Sequence, residues 1–201
     1  MSRYRGPRLN ILKRLGPLPG FGLKFNQKLR QKKRNNQNIS LKRRKKKRKS
    51  PYMIRLKEKQ KLKYNYGLTE KNLMRYIKTA RKKKTLTGED FLINLEMRLD
   101  NIIFRFGLAP TLPAARQLVT HGHVLLNGKK RDKPSSPCKI NDLVSIKNNK
   151  NKNFKKNLSL PSFLKFNSET FVGKINKNAS RKDIRLNINE LLVLEYYSRS
   201  L

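Results

Sequence analysis

The clearest pattern of apolar and polar positions in this chain lies between residues 87 and 147. Apolar side chains first recur at intervals of three and four residues, which is the spacing of one buried helix face. The members of this stripe are Phe91, Leu92, Leu95, Leu99, Ile102, Ile103 and Phe106. Gly107 follows the stripe and suits a helix C-terminus, because glycine readily adopts positive φ. The pattern predicts one amphipathic helix, or two if it bends near Glu96.

A second, shorter helix is predicted directly after the first. Thr111 is a residue type that caps helix N-termini, and Pro113 is tolerated in a first turn. Gly122 is suited to close this helix. Its apolar face is formed by Ala115, Leu118 and Val119.

A β-hairpin is predicted after the second helix. Residues 124–126 are apolar and read as a strand, and Asn127-Gly128 is the pair that a type I′ turn favours. Residues 143–146 read as a later strand. The region as a whole is therefore predicted to be two helices followed by a hairpin.

Polar and cationic side chains remain once the apolar faces are assigned. Arg98, Asn101 and Arg105 recur at intervals of three and four, and we place them on the outer side of the first helix. From the second helix and the hairpin come Arg116, Gln117, His121, Lys129, Lys130, Arg131 and Lys133. Guanidinium, ammonium and amide donors of this kind bind phosphate and sugar in structured RNA. A solvated charged surface is the alternative for any single residue, but the cluster favours RNA.

The overall charge strengthens that interpretation. Lysine and arginine total 51 against 12 acidic residues, giving a formal net charge of +39 over 201 residues. Such a chain repels itself and needs a polyanionic partner. Nucleic acid fits best, and an anionic membrane surface is the weaker alternative. No stretch approaches about 20 apolar residues, the length of a membrane span.

The first third of the chain is the most basic part. No acidic residue precedes Glu58, and residues 42–49 form an unbroken basic run that we expect to order only on phosphates. A nuclear-localisation signal is the other reading of such a run. Residues 4–8, with Gly16-Pro17 and Pro19-Gly20, predict extended chain and tight turns rather than a helix.

Two further helices are predicted at residues 51–66 and 69–84. In the second, Leu73, Ile77 and Ala80 are expected to face inward, and Arg75, Lys78, Arg81 and Lys82 outward. For Tyr64, Tyr66 and Tyr76 we favour packing over base stacking.

The C-terminal part is predicted less regularly. Residues 148–157 are polar and of low complexity, which indicates a loop, and the aromatic residues at 154–172 are expected to pack back on the body. Residues 191–197 are rich in β-branched and aromatic side chains, so we predict a short terminal strand that joins the hairpin sheet.

No catalytic or metal-binding constellation is predicted. His121 and His123 stand two residues apart, which is poor spacing for a helical metal pair. Asp100 is expected to pair with a nearby arginine rather than to act as a base. Cys138 is the chain's one cysteine, which leaves neither a disulfide nor a cysteine zinc site. We therefore predict no catalytic residue, no metal and no cofactor.

Several short motifs carry a resemblance to a known family. In chain order they are Arg98-Leu99-Asp100, Gly107, Ala115-Arg116-Gln117-Leu118, Gly122, Asn127-Gly128 and Lys133-Pro134-Ser135. In this order the motifs resemble those of the S4 RNA-binding domain. That domain is a helix–helix–hairpin fold that several RNA-binding proteins and enzymes share. The flanks, at residues 1–20, 55–77 and 188–199, resemble the small-subunit ribosomal protein S4 family in its plastid-encoded form.

The resemblance implies an α+β fold in four parts. They are a basic extended N-terminal arm at residues 1–50, a small α-helical subdomain at 51–96, the S4 RNA-binding domain at 97–160, and a segment at 161–201 that packs back on the body and contains the terminal strand. The RNA-binding residues predicted from pattern and resemblance together are Arg3, Tyr4, Arg5, Arg8, Arg14, Lys59, Lys61, Arg75, Arg98, Asn101, Arg105, Arg116, Gln117, His121, Lys129, Lys130 and Lys133.

The resemblance also implies a function, which we state as an expectation. The protein would be a structural constituent of the small ribosomal subunit and a primary binder of the 5′ domain of its 16S-type rRNA, at a multi-helix junction. It would nucleate assembly of the subunit body and contribute to translational accuracy. Implied partners are ribosomal protein S5, ribosomal protein S12 through a functional link, and messenger RNA near the entry channel, with no membrane partner. The implied location is the plastid stroma, and no signal or transit peptide is predicted.

Two alternatives use the same RNA-binding domain. One is an RNA-modifying enzyme of the pseudouridine synthase type, which needs a further catalytic domain with a positioned aspartate. The other is a ribosome-rescue or heat-shock factor, which would be little more than the domain itself. The basic composition and the long N-terminal half count against both.

Overall fold

The computed structural model describes residues 4, 6–22, 26–28, 31, 50–82, 87–147, 160–167 and 170–198. The predicted contacts of Arg3 and Arg5 and the predictions for residues 42–49 and 148–157 lie outside these residues. The helices are α1 (Arg8–Leu15), α2 (Pro51–Asn65), α3 (Glu70–Arg81), α4 (Thr87–Glu96), α5 (Leu99–Arg105), α6 (Leu112–Thr120) and α7 (Glu190–Ser198). The strands are β1 (Val124–Leu126), β2 (Lys129–Lys130), β3 (Leu143–Ile146), β4 (Leu164–Asn167) and β5 (Val172–Ile175). Helices and an antiparallel sheet in one chain confirm the predicted α+β class.

The chain divides into two compact units. The first contains Met1–Ile77 and Leu186–Leu201, and the second contains Lys78–Arg185. Helices α1, α2 and α7 belong to the first unit, and α4, α5, α6 and the whole sheet belong to the second.

The first unit is helical. Helix α2 begins at Pro51, where the Ser50 hydroxyl accepts a hydrogen bond from the Met53 amide. The core of this unit is made of the buried side chains Leu12, Leu18, Leu62, Leu73, Ile77, Val193 and Tyr197. The two predicted helices are confirmed as Pro51–Asn65 and Glu70–Arg81, as is the inward face of the second, and the predicted end at residues 83–84 lies outside the described residues. Tyr66 is also buried, so packing is the correct interpretation for that aromatic residue.

The N-terminal arm is not extended throughout, as the sequence had suggested. Residues 8–15 form helix α1, which directly follows Pro7. The reason is burial, because adjacent Ile11 and Leu12 are both removed from solvent. Glycine and proline therefore mark the ends of this segment and do not prevent a helix between them.

The predicted C-terminal strand is wrong, because residues 190–198 form helix α7. Val193 and Tyr197, four residues apart, are buried, while Leu191 is 68% exposed. That is the period of a helix and not of a strand. The helix joins the first unit and not the sheet: Arg55 Nε on α2 donates to Glu195 at 2.6 Å, and the Asn189 amide donates to Glu58 at 3.3 Å.

In the second unit, the helices form as predicted. The apolar stripe is buried along its length and is divided between α4 and α5, so the bend near Glu96 is confirmed. Gly107 and Gly122 have φ of +76° and +72°. Each is followed by an amide that reaches back to the helix, from Leu108 to Ile103 and from His123 to Leu118. Both predicted glycine stops are therefore confirmed.

The sheet has five antiparallel strands in the order β2-β1-β3-β5-β4. Asn127 and Gly128 both have positive φ, 51° and 76°, which confirms the predicted hairpin turn. Strands β4 and β5 were not predicted. They lie in the segment expected to pack back on the body, and Gly173 of β5 lies against the ring of Phe106, too close for any Cβ atom.

Candidate nucleic-acid interface

The predicted outer face of the first helix is not on the surface. Arg98, Asn101 and Arg105 are only 5%, 3% and 6% exposed. The placement of these three residues on the outer side is therefore wrong. Instead they donate hydrogen bonds to two buried acidic residues, Arg98 to one and both Asn101 and Arg105 to the other.

Asp100 is the first of these acidic residues, with a side chain only 1% exposed. Arg98 donates to both carboxylate oxygens, from Nε at 3.1 Å and from Nη2 at 2.8 Å. Arg116 on α6 donates from Nε to the same carboxylate at 2.7 Å. The expected pairing of Asp100 with a nearby arginine is confirmed, and this carboxylate links α5 to α6.

Glu96 is the second acidic residue and is completely buried. Arg105 donates to it from Nε at 3.0 Å and from Nη2 at 2.6 Å, and the amide of Asn101 also donates to its carboxylate. Buried charges of this kind are tolerated only when paired and hydrogen-bonded. The sequence signal that could have revealed this arrangement is the presence of acids inside the apolar stripe, next to Leu95 and Leu99.

The segment after the hairpin is attached to the start of α5 by backbone hydrogen bonds. The amides of Leu99 and Asp100 donate to the carbonyls of Ser136 at 3.0 Å and Pro134 at 3.1 Å. The Cys138 amide donates to Met97 at 2.9 Å. These contacts hold Lys133 and its neighbours in a defined place relative to the two helices.

One exposed cationic surface of the second unit combines residues of α6 and of the hairpin. We call it the helix–hairpin face, and its members are Gln117, His121, Lys129, Lys130, Arg131 and Lys133, all exposed. Lys130 connects its two parts, because an ideal Cβ on Gly122 would lie 2.0 Å from Lys130 Cε and 2.8 Å from Nζ. The Lys130 side chain thus crosses the C-terminal end of α6, where a cation is favoured by the helix dipole. The structure therefore brings Lys130 next to Gly122 at the end of α6, and it shows the other members of the face as exposed.

The predicted residues of the first unit are more dispersed. Arg14 and Arg75 are exposed and Arg8 is partly exposed, while Tyr4 packs edge-on against Tyr64 with ring centroids 5.4 Å apart. Lys61 pairs with Glu58 at 2.6 Å. Contact of each with RNA stays a prediction.

Lys59 is buried rather than displayed. Its ammonium donates to Glu70 at 2.9 Å and to the Tyr196 hydroxyl at 3.3 Å. Burial lowers the pKa of Lys59, but the hydrogen bonds to Glu70 and Tyr196 outweigh burial, so its pKa is raised overall. Tyr197 also donates to Glu70. Lys59 therefore joins α2, α3 and α7 in a structural cluster, and its predicted role in RNA binding stays untested.

Alkylation of Cys138 tests whether the segment after the hairpin stays packed in the folded protein. Burial, and then the carboxylates of Asp142 and Asp100, raise the pKa of its thiol from 9.0 to about 12. Because the thiolate is the reactive form, we expect iodoacetamide at pH 8 to spare the folded protein and to alkylate the urea-unfolded chain. Mass spectrometry of the intact protein measures this.

The raised pKa also sets the sign of the pH dependence. The folded state prefers the protonated thiol, so this contribution to stability is complete below pH 9 and is lost as pH rises toward 12. Rapid alkylation of the folded protein at pH 8 would contradict the closed arrangement.

The described residues were also compared with the requirements of a metal site and of a membrane span. No three histidine, cysteine, aspartate or glutamate side chains among these residues come together in a way that could hold a metal ion. Among the same residues, none of the helices is both long and apolar enough to cross a membrane.

Comparison of the sequence with known proteins identifies its relatives. Residues 3–96 match the ribosomal protein S4/S9 N-terminal domain, and residues 97–144 match the S4 domain. The small ribosomal subunit protein uS4c of Prototheca wickerhamii is 49% identical over 207 residues, covering 100% of both chains. That of Oltmannsiellopsis viridis is 48% identical, over 99% of this chain and 100% of the relative. The small ribosomal subunit protein uS4 of Rippkaea orientalis is 46% identical, over 99% of each chain.

Proposed function

This chain belongs to the ribosomal protein S4 family, and from that membership we propose that it is a structural constituent of the small ribosomal subunit that binds the subunit's rRNA directly. It is not an enzyme, since the family is one of structural ribosomal proteins. The pseudouridine synthase and the rescue factor are therefore not favoured.

The observation that carries the proposal is the helix–hairpin face. Its members Gln117, His121, Lys129, Lys130 and Lys133 are all exposed, and the Lys130 side chain reaches Gly122 at the end of α6. Ammonium groups in this arrangement release counterions from phosphates and so supply affinity. The rigid helix pair behind them supports recognition of RNA shape, because backbone hydrogen bonds and the Asp100 carboxylate hold its parts together.

Arg116 adds a further donor at the edge of this face. Its side chain is 17% exposed, and its Nε is oriented by Asp100. A guanidinium held in one orientation loses less entropy on binding phosphate than a flexible lysine does. Arg116 is therefore proposed to bind rRNA while Arg98 and Arg105 support the helices from inside.

The finer assignments are part of the same proposal. The rRNA target is a multi-helix junction of the 5′ domain, where binding nucleates assembly of the subunit body and contributes to translational accuracy. Neighbouring ribosomal protein S5, a functional link to ribosomal protein S12 and messenger RNA near the entry channel complete the partners. The location is the plastid stroma, which the naming of relatives as uS4c supports.

Footprinting tests the proposal. The full chain is bound to small-subunit rRNA, and to its isolated 5′ domain, across a series of salt concentrations. We expect protection confined to one multi-helix junction and retained at moderate salt. Diffuse protection that disappears with added salt would overturn site-specific binding. It would mean that the protein binds RNA only through its overall positive charge.

Two further measurements check the excluded classes. Incubation of the protein with uridine-labelled rRNA is expected to yield no pseudouridine. Sedimentation of small subunits in high salt is expected to retain the protein, because a structural constituent is held more firmly than a transient factor. Release from the subunit at that salt would favour the factor.

A further inference from the structure

A small concavity lies on the second unit where α6 meets the hairpin. It has a volume of about 220 Å³ and is lined by Pro110, Ala114, Gln117, Leu118, His121 and His123. Its wall is mostly apolar, and the Lys130 side chain lies against Gly122, between two of the lining residues. Leu118 was expected in the core with its helix face, but it is only half-buried and forms part of this wall.

The two histidines line one part of the concavity. The rings of His121 and His123 have centroids 6.1 Å apart and an angle of 30° between their planes. Gly122 lies between them, and the Lys130 side chain passes directly over this glycine. An apolar recess, two aromatic rings and an ammonium group therefore lie around Gly122.

We propose that this concavity binds one unstacked nucleobase of the bound rRNA. The inference rests on the proposed function and deepens it, since it names the chemical group that the helix–hairpin face reads. Bases splayed out of RNA stack on aromatic side chains such as histidine and are hydrogen-bonded along their edges. His121 and His123 provide ring surfaces, and the amide of Gln117 provides both a donor and an acceptor for a base edge.

The size and charge of the site favour a base over other occupants. Pockets for drug-sized ligands run to about 300–1,000 Å³, so about 220 Å³ suits a single planar ring system. A base in RNA is flanked by phosphates, and the ammonium of Lys130 beside Gly122 can donate hydrogen bonds to one of them. An apolar side chain of a partner protein would bring no anionic group to pair with the Lys130 ammonium.

Filling the concavity tests the proposal without changing any charge. Ala114 is on α6 and lines the site, and leucine at this position would place three more carbon atoms in the concavity while remaining a good helix former. Ala114→Leu in the full chain is expected to reduce affinity for small-subunit rRNA by about five- to a hundredfold, the worth of one stacked base. The slope of log affinity against log salt is expected to stay unchanged, because no phosphate contact is removed.

Chemical probing then identifies the occupant. Dimethyl sulfate and a carbodiimide modify the Watson–Crick edges of accessible bases. We expect one nucleotide that wild-type protein protects to become reactive with Ala114→Leu, while protection of neighbouring backbone persists. Thr170→Leu, at an exposed turn outside the concavity, is the matched control and is expected to behave as wild type.

A second pair of variants guards against a fold defect. His121→Ala is expected to weaken binding, and His121→Phe to restore it, because phenylalanine keeps the ring face and loses only the nitrogens. Equal losses in both variants would overturn stacking on this ring.

The outcomes separate this inference from the proposed function. Wild-type affinity and wild-type protection in Ala114→Leu would overturn the base site while leaving rRNA binding intact. Absence of site-specific protection by the wild-type protein would instead overturn the proposed function, and the base site with it.

Discussion

Replacing Asp100 with alanine is expected to lower the free energy of unfolding by about 3–5 kcal/mol, the usual cost of removing one partner of a buried ion pair. The carboxylate is almost fully enclosed and accepts hydrogen bonds from Arg98 and Arg116. Without it the guanidinium of Arg98, whose side chain is only 6% exposed, loses its hydrogen bonds to both carboxylate oxygens of Asp100. Urea denaturation of the full chain, followed by circular dichroism at fixed salt, measures the loss.

Asp132→Ala is the matched control for Asp100→Ala. It removes the same charge from the same unit, but Asp132 is exposed next to the hairpin. Exposed substitutions of this kind change stability by about 0.5 kcal/mol or less. If the two variants unfolded at the same urea concentration, the buried carboxylate would not be the element that joins α5 and α6.

Loss of the Asp100 carboxylate is also expected to weaken the binding of rRNA. Arg116 Nε donates to this carboxylate, so its guanidinium loses a partner that orients it. Asp100→Asn keeps the shape of the side chain and removes the charge. We expect it to weaken rRNA binding even in salt conditions where circular dichroism shows the folded state, because the orientation of Arg116 is affected as well as stability.

The affinity for rRNA is expected to depend steeply on salt, and the hairpin lysines are expected to carry a measurable share of that dependence. Replacing Lys129, Lys130 and Lys133 together with glutamine should reduce the slope of log affinity against log salt by about 2 to 3 units, since each phosphate contact contributes about 0.9. These side chains are all exposed and belong to the helix–hairpin face. Filter binding from about 50 to 200 mM salt measures the slope, a range over which a protein with several phosphate contacts loses about 10³–10⁵ in affinity.

A triple variant of equal charge controls for the change in net charge. Lys165, Lys174 and Lys177 are exposed on or next to β4 and β5. Replacing these three with glutamine removes the same three charges and should leave the slope near that of wild type. An equal reduction in both triple variants would mean that the total charge of +39 attracts RNA without a defined face.

Local features of the fold were predictable because local chemistry decides them. The turn at Asn127-Gly128 needs two residues that accept positive φ, and the stops at Gly107 and Gly122 need one each. The apolar stripe of α4 and α5 also repeats at helical intervals that no strand would use. These elements appear where the sequence placed them.

The errors arose where packing partners distant in the chain took over. Residues 191–197 have the side chains of a strand, but α2 offers them a surface through Arg55 and Glu58. Asn189, whose side chain accepts from the amides of Leu191 and Leu192, was the available sign of a helix start. Of the missed strands, β5 pairs with β3, which lies about 30 residues earlier, and β4 in turn pairs with β5.

By itself, the sequence determined the helix pair, the hairpin turn, the cationic character and the resemblance to the S4 family, since each follows from residue type and short-range spacing. Only the tertiary structure decided which cations face solvent. The spacing of Arg98, Asn101 and Arg105 fits an exposed face equally well. Their burial is possible because Asp100 and Glu96 pair with the two arginines, and Glu96 also accepts a hydrogen bond from Asn101. Whether a charged face is buried depends on what covers it and what pairs with it, and both are properties of the folded unit rather than of periodicity along the chain.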